Sequence, residues 1–180
     1  DAVLSRVIEL ARQSGVPVLA DPKGNNFKKY AGASILTPNR KEAGLAAGRQ
    51  LESEADLVAL GSEMRRELAL EALLITRSEQ GMSLFLADGV RHLPANAREV
   101  YDVSGAGDTV IAVLGAAVGA GLDFAAAAEL ANLAAGVVVG KVGTSTASCE
   151  EILLEAQGQS AEMDWKIRDR QFLRAMLAPL

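Results

Sequence analysis

The stretch 102–110, DVSGAGDTV, sets two carboxylates, two glycines and several small side chains at the mouth of an apolar run, IAVLGAAVGAG. Gly105 and Gly107 allow unusual dihedrals and close approach of a ligand to the backbone. The apolar run predicts a helix, whose first N–H groups have no intrahelical acceptor and carry the positive end of the helix dipole. Such a terminus binds anions. Asp108 falls in its first turn. A carboxylate that takes a proton from an attacking hydroxyl, beside amides of Gly105, Ala106 and Gly107 that hold a phosphoryl group, is the pairing that phosphoryl transfer needs. The same residues also suit a plainer role, with Asp108 capping the helix and the glycines turning the chain. The string is neither the G-x-G-x-x-G fingerprint nor a P-loop.

Three further stretches carry chemistry-bearing side chains. In TPNRKE, Asn39 and Glu42 lie three residues apart after an apolar run and project from one side of a first helical turn. An amide and a carboxylate there suit a metal-bound water near phosphate, the way Mg²⁺ is usually held. They equally suit a capping box. In ITRSEQG, Thr76, Arg77, Ser78 and Gly81 follow a strand pattern, at the edge where open α/β sheets bind ligands; a polar loop is the alternative. In DPKG, Asp21 and Lys23 end another strand pattern, and Lys23 suits a substrate phosphate. His92, beside Arg91, has no cysteine or carboxylate at metal-ligand spacing and reads as a surface residue. Cys149, the sole cysteine, reads as a small buried or half-buried side chain in a reducing compartment.

These residues need elements to position them. AVLSRVIELARQSG spaces Val3, Leu4, Val7, Ile8 and Ala11 on one helical face, and Gly15 ends it. VPVLAD and SILTPN read as short strands. A short helix is predicted over 40–47 and a longer one within 51–70, opened by Ser53. ALLIT reads as a buried strand, and MSLFLADGVRHLPA as a hairpin turning at Asp88-Gly89 in a type I′ turn. Alanine-rich helices follow over 106–120 and 123–139. The alternation predicts an α/β layered fold with parallel strands near 16–20, 34–37 and 72–76. From Gln157 the sequence turns polar, and it then holds an amphipathic stretch around Trp165, Ile167, Phe172 and Leu173.

Apolar residues make up 49 % of the 180 and aromatics 4 %, which suits small-residue helices packed on a sheet. The formal charge of −5, with no basic block, argues against nucleic acid as a partner. The longest apolar run, in 110–122, is broken by three glycines and too short for a membrane span, so the expectation is a cytoplasmic protein without membrane contact.

Taken together these strings resemble the C-terminal half of a ribokinase-like (PfkB-type) sugar kinase. DVSGAGDTV is similar to the family signature D-T-x-G-A-G-D, with Val103 in place of the threonine, and NRKE is similar to its N-x-x-E motif. Within the family, DPKGNNFKKYAGASILTPNRKE, LLITRSEQGMSLF, EVYDVSGAGDTVIAVL and NLAAGVVVGKVGTST resemble the bacterial heptose 7-phosphate kinases. The resemblance runs from residue 1 to about 155. It implies a three-layer αβα sandwich with a mostly parallel sheet, the family's N-terminal half and lid being absent. Residues 1–155 then form the ATP-binding side of a kinase domain and 156–180 a helical tail or linker. It implies Asp108 as catalytic base, Gly105, Ala106 and Gly107 as anion hole, and Asn39 and Glu42 as organisers of Mg²⁺ and the ATP phosphates. Thr76, Arg77, Ser78 and Gly81 fall in the nucleotide loop, Asp102 heads the signature and braces its loop or the ribose region, and Asn132 lies on the helix side facing the adenine pocket. Lys23 falls on the sugar-phosphate side. Gly143, Thr144 and Ser145 are placed at a helix end near the nucleotide or a monovalent cation such as K⁺. The implied reaction phosphorylates heptose 7-phosphate at its anomeric hydroxyl with ATP, in ADP-heptose biosynthesis for the lipopolysaccharide core. The implied partners are the sugar phosphate, ATP and, in a longer protein, a second copy in a homodimer. Another PfkB-type sugar or nucleoside kinase, or a non-catalytic nucleotide-binding module, remains open.

Overall fold

The computed structural model describes residues 2–96 and 101–159. Helix α1 (Ala2–Gln13) precedes strand β1 (Leu19–Ala20). A 3-10 turn over Phe27–Tyr30 leads to β2 (Ile35–Leu36), α2 (Arg40–Ala47), α3 (Glu54–Glu67) and β3 (Ala72–Thr76). The hairpin β4 (Met82–Leu86) and β5 (Gly89–Leu93) follows, then α4 (Ala106–Gly119), α5 (Phe124–Val139) and α6 (Cys149–Gln159). Most of the polar tail, with its amphipathic stretch, lies outside the described residues.

The helices begin where their caps dictate. The Ser53 hydroxyl accepts from the Asp56 amide while the Asp56 carboxylate accepts from Ser53 N–H, a capping box that starts α3. Asp123 caps α5 by accepting from Ala126 N–H. Helix α5 ends at Gly140, so Gly143, Thr144 and Ser145 lie in a following turn and not at the helix end. Two donors already close that end, the Gly140 amide on Gly136 and the Lys141 amide on Val138.

The five strands form one sheet in sequence order, β1 to β3 parallel and β4 and β5 antiparallel to their neighbours. The expected strands near 16–20, 34–37 and 72–76 are the three parallel ones. The hairpin forms, but its turn differs from expectation. Leu86 pairs with Gly89, so the two central residues are Ala87 and Asp88, neither with positive φ. Gly89 at φ +148 is the residue that rejoins the ladder, as suits the last position of a type I turn.

Alternation along the strands sorts side chains to two faces. Leu36, Leu73, Ile75 and Phe85 join Ile8 of α1, Ala43 of α2 and Leu57, Leu60 and Met64 of α3. Ile35, Ala72, Leu74, Met82 and Leu84 join Val110, Leu114 and Ala117 of α4 and the alanines of α5. The result is a three-layer αβα sandwich. Ala127, Ala128 and Ala131 are fully buried, and their small side chains bring α5 close to α4. Each fully buried leucine such as Leu114 contributes about 1.5–3 kcal/mol over leaving it in water. In α1 the apolar face is only partly used. Ile8 is buried and Leu4 packs on the core, but Val3, Val7 and Leu10 stay exposed. Among the described residues no helix is long and apolar enough to cross a membrane.

Candidate active site

The sheet register places the polar residues. Leu19 pairs with Ile35 and Ala20 with Leu36, so the next rung sets Asp21 beside Thr37. Ile35 faces α4, and period-two alternation sends Thr37 to that same side. Thr76, two residues beyond Leu74, shares the face, and an isolated parallel bridge joins it to Asn39. Its amide donates to the Pro38 carbonyl at 3.0 Å. The carboxyl ends of three strands therefore present Asp21, Thr37, Asn39 and Thr76 along one edge, the position where open α/β sheets hold ligands.

Asn39 and Glu42 form a complete capping box at the start of α2. Asn39 Oδ1 accepts from Glu42 N–H at 2.8 Å, and Glu42 Oε2 accepts from Asn39 N–H at 2.8 Å. The capping role foreseen for this pair is thus filled. One carboxylate oxygen of Glu42 takes no part in the box. Lys23 donates to Asp21 at 2.6 Å, and this hydrogen bond and charge raise its pKa, with smaller contributions from the Glu42 and Asp108 carboxylates. Asp21 is its direct partner, and the charges of Glu42 at the start of α2 and Asp108 at the start of α4 act on it only weakly.

The first turn of α4 is built for access. Gly105 is its N-cap, in the left-handed region at φ 82 and ψ −3, with no side chain to cap the turn. Its carbonyl is held twice from within, by the amide of Thr109 at 2.9 Å and its hydroxyl at 3.0 Å. The Ala106 amide donates to Val103 at 3.3 Å, so Gly107 and Asp108 supply the first-turn amides not engaged in that turn. Asp108 is exposed at the rim. Upstream, Asp102 Oδ1 accepts from Ser104 N–H at 2.8 Å, and this bond holds its carboxyl below the usual range. The amide of Tyr101 donates to Val139, tying the loop to the end of α5. A Cβ on Gly105 would stand 3.4 Å from Thr144 Cγ2, which sets Thr144 beside the first turn of α4.

The turn 78–81 splits the residues expected there. Thr76 and Ser78 line a cleft of about 600 Å³ together with Asn39, Arg40 and Leu51. Arg77 does not face that cleft. Its side chain is 6 % exposed and turns to the α3 side of the sheet, where it meets Glu54, Ser83 and His92. Strand alternation is the reason, since Arg77 follows Ile75 on the opposite face from Thr76. The expectation that Arg77 itself meets the nucleotide is corrected accordingly. Gly81 is buried at the base of the turn, at φ +79 and ψ −126. Asn132 is also buried, and its amide donates to the Pro94 carbonyl at 2.7 Å, fastening α5 to the chain leaving β5. Both are placed by the fold beneath the edge and not on it.

Two features escaped the sequence. Thr37 is 6 % exposed and its hydroxyl has no partner; the alternation from Ile35 was the available signal. His92 is not a plain surface residue, because its Nδ1 lies 2.9 Å from the Ser83 hydroxyl and 3.0 Å from Arg77. Ser83 pairs directly with His92 in the hairpin, so register alone would have found it. Among the described residues, no cluster of three or more histidine, cysteine or carboxylate side chains is arranged to hold a metal.

Known proteins resemble this arrangement in sequence and in fold. The chain is 52 % identical over 176 residues to the bifunctional protein HldE of Geobacter metallireducens, covering 97 % of the chain and 36 % of that protein. It is 55 % identical over 146 residues to the HldE protein of Hahella chejuensis, covering 81 % and 30 % respectively. The chain thus spans about a third of the curated relatives it matches. Among solved structures, phosphofructokinase-2 of Escherichia coli superposes with a TM-score of 0.78 at 16 % identity, covering 87 % of this chain and 52 % of that one. A ribokinase of Arabidopsis thaliana, complexed with ribose and ATP, superposes at 0.76 and 23 % identity, covering 85 % and 51 %. These likenesses establish the ribokinase-like fold. A profile of the pfkB family of carbohydrate kinases matches residues 1–151, and the chain belongs to that family.

Proposed function

We propose that this chain is the nucleotide-binding side of an ATP-dependent kinase for D-glycero-β-D-manno-heptose 7-phosphate, acting at the anomeric hydroxyl to give the 1,7-bisphosphate and ADP. The observation that carries the reading is the convergence at one sheet edge of Lys23, Asn39, Glu42 and Asp108 beside an α4 N-terminus without a side-chain cap. Identity of 52 % to a bifunctional HldE protein supports the choice of acceptor. Residues 1–155 would belong to the kinase domain and the remainder to its tail.

In this reading Asp108 takes the proton of the anomeric hydroxyl as that oxygen attacks the γ-phosphorus. The bond from that phosphorus to the β,γ-bridging oxygen breaks, and ADP leaves with the electron pair. General-base help of this kind is worth about 10²–10⁴ in rate. The first-turn amides of α4 stabilise charge on the transferring group where it develops. Lys23, held by Asp21, meets an anionic phosphate of the substrate and offsets repulsion from the three carboxylates. Magnesium, when bound, neutralises phosphate charge. With the Asn39 oxygen and one Glu42 oxygen engaged in the capping box, the free Glu42 oxygen would hold it through retained waters. Thr144, beside Gly105, would back that loop or lie near a monovalent cation.

The test exchanges the corresponding segment of the Geobacter metallireducens protein for this chain and measures sugar-dependent ADP release. Heptose 7-phosphate should be turned over, with ribose, fructose 6-phosphate and adenosine at least a hundredfold slower in kcat/KM. Preference for one of the other acceptors would replace the acceptor named here. ATP binding without any sugar-dependent ADP release would point to the non-catalytic nucleotide module.

A further inference from the structure

The Arg77 side chain is the most heavily engaged polar group among the described residues, and none of its contacts faces the cleft. Its guanidinium grips Glu54 of α3 in two-point fashion, NH1 to Oε1 at 3.2 Å and NH2 to Oε2 at 3.0 Å. NH1 also reaches the Ser83 hydroxyl of β4 at 2.9 Å and His92 Nδ1 of β5 at 3.0 Å. NH2 donates to the Gln80 side-chain oxygen at 3.3 Å. The main chain repeats the grip, since Arg77 N–H donates to the Gly81 carbonyl at 2.8 Å and its carbonyl accepts from Gln80 N–H at 3.1 Å. The Gln80 oxygen is approached from the other side by Arg40 NH1 at 3.4 Å, and Arg40, next to Asn39, is itself anchored on the Leu51 carbonyl. A single exposed carboxamide is thus shared by two guanidiniums, one rooted in the sheet and one in the first turn of α2.

A buried guanidinium needs a reason. Its Nε is buried without a partner, a cost of order 1–3 kcal/mol, and an apolar side chain at residue 77 would fill the same space without it. The turn it closes is strained in turn: Ser78 sits at φ +53, a region that non-glycine residues seldom occupy. Residues 78–80 are exposed, and the two arginines add a side-chain grip from inside the sheet and from α2 to the turn's own main-chain bonds and to the packing of Gly81 on residues 93–95.

We propose that Arg77 and Gln80 form a clamp that positions the 78–81 turn for nucleotide, holding the Ser78 hydroxyl in register with Asn39 on the wall of the cleft, with Arg77 acting as a positioning residue and not as a ligand contact. The proposal rests on the nucleotide reading above. Prior ordering of a binding turn appears as affinity, because the entropy of fixing its side chains is then not charged to binding. One or two side chains ordered in advance correspond to about three- to tenfold in Kd.

The test measures Mg·ATP binding to the unsubstituted 180-residue chain, Gln80→Ala and Arg77→Lys by calorimetry, with thermal unfolding and amide hydrogen exchange on each. Gln80 is exposed, so Gln80→Ala should keep its melting temperature within about 2 °C, weaken ATP about three- to tenfold, and speed exchange at the amides of residues 80 and 81 while β3 stays protected. Arg77→Lys should weaken ATP at least as much. Unchanged ATP affinity in Gln80→Ala, whatever the fate of Arg77→Lys, overturns the clamp and leaves the nucleotide reading standing. Absence of ATP binding by the unsubstituted chain at millimolar concentration overturns both.

Discussion

Gly81→Ala concentrates the geometry of the site into one substitution. Gly81 sits at φ +79 and ψ −126, the mirror image of extended backbone, where an L side chain costs about 1–3 kcal/mol. The new methyl would also stand 2.5 Å from Ala95 N and 2.6 Å from Pro94 C, and closer still to the Leu93 carbonyl oxygen. All three are main-chain atoms, so no rotamer change relieves them. The segment cannot simply swing away, because Leu93 is paired with Met82 and the Pro94 carbonyl is held by Asn132. Overpacking of this kind costs a further ~1–3 kcal/mol. The sum, about 2–6 kcal/mol, corresponds to a fall of roughly 4–24 °C in melting temperature for a chain of this size. Gly24→Ala is the control: φ is +78 but nothing lies within 4 Å of the added methyl, so only the backbone cost of about 1–2 kcal/mol remains. Thermal unfolding followed by circular dichroism at 222 nm, with both variants side by side, decides the matter. Equal destabilisation of the two would refute the packing of residues 93–95 on the turn.

Asn39→Ala and Ser53→Ala each remove the side-chain acceptor of a capping box and should each cost about 0.5–2 kcal/mol in denaturant unfolding, but only Asn39→Ala should also weaken Mg·ATP. Lys23→Gln removes the exposed ammonium paired with Asp21 and should raise KM for the sugar phosphate in the exchanged protein about tenfold or more, a charge-assisted hydrogen bond being worth ~1.5–3 kcal/mol, with ATP affinity unchanged. Glu151 is pushed down to about 2 by the Lys141 ammonium and then the Ser148 amide. Its folded pKa lies below its ordinary 4.5, so its contribution is present above that value and fades as pH falls toward 2; Glu151→Gln should flatten that part of the stability profile, read from urea midpoints between those limits.

The parts of the fold that local chemistry decides were readable in the sequence. Ser53 announced its helix because a side-chain acceptor two or three residues ahead of an apolar run has few other uses. The edge carrying Asn39 and Thr76 followed from polar residues at the ends of apolar strands. What long-range pairing decides was not readable. Arg77 sits in the middle of a polar run, and only the face assignment of β3 shows that it turns inward, away from Thr76 and Ser78. The meeting of His92 with Ser83 depends on hairpin register, and that register places the turn at Ala87–Asp88, one residue earlier than the Asp-Gly pair suggested. The glycine there serves the re-entry of the strand and not the turn centre. The fate of α1 was hidden for another reason. Periodicity marks an apolar face but not what covers it, and Val3, Val7 and Leu10 remain exposed.

The account turns on Asp108 as the base, and one substitution addresses it most directly. Asp108 is exposed in the first turn of α4, whose N-cap is Gly105, so Asp108→Asn keeps the shape of the turn and removes the proton acceptor. In the exchanged protein, sugar-dependent ADP release by Asp108→Asn should fall about 10²–10⁴-fold, almost all of it in kcat, while Mg·ATP affinity and melting temperature stay where they were. Turnover by Asp108→Asn equal to that of the unsubstituted protein would contradict the assignment and leave Asp108 as no more than a carboxylate at a helix start.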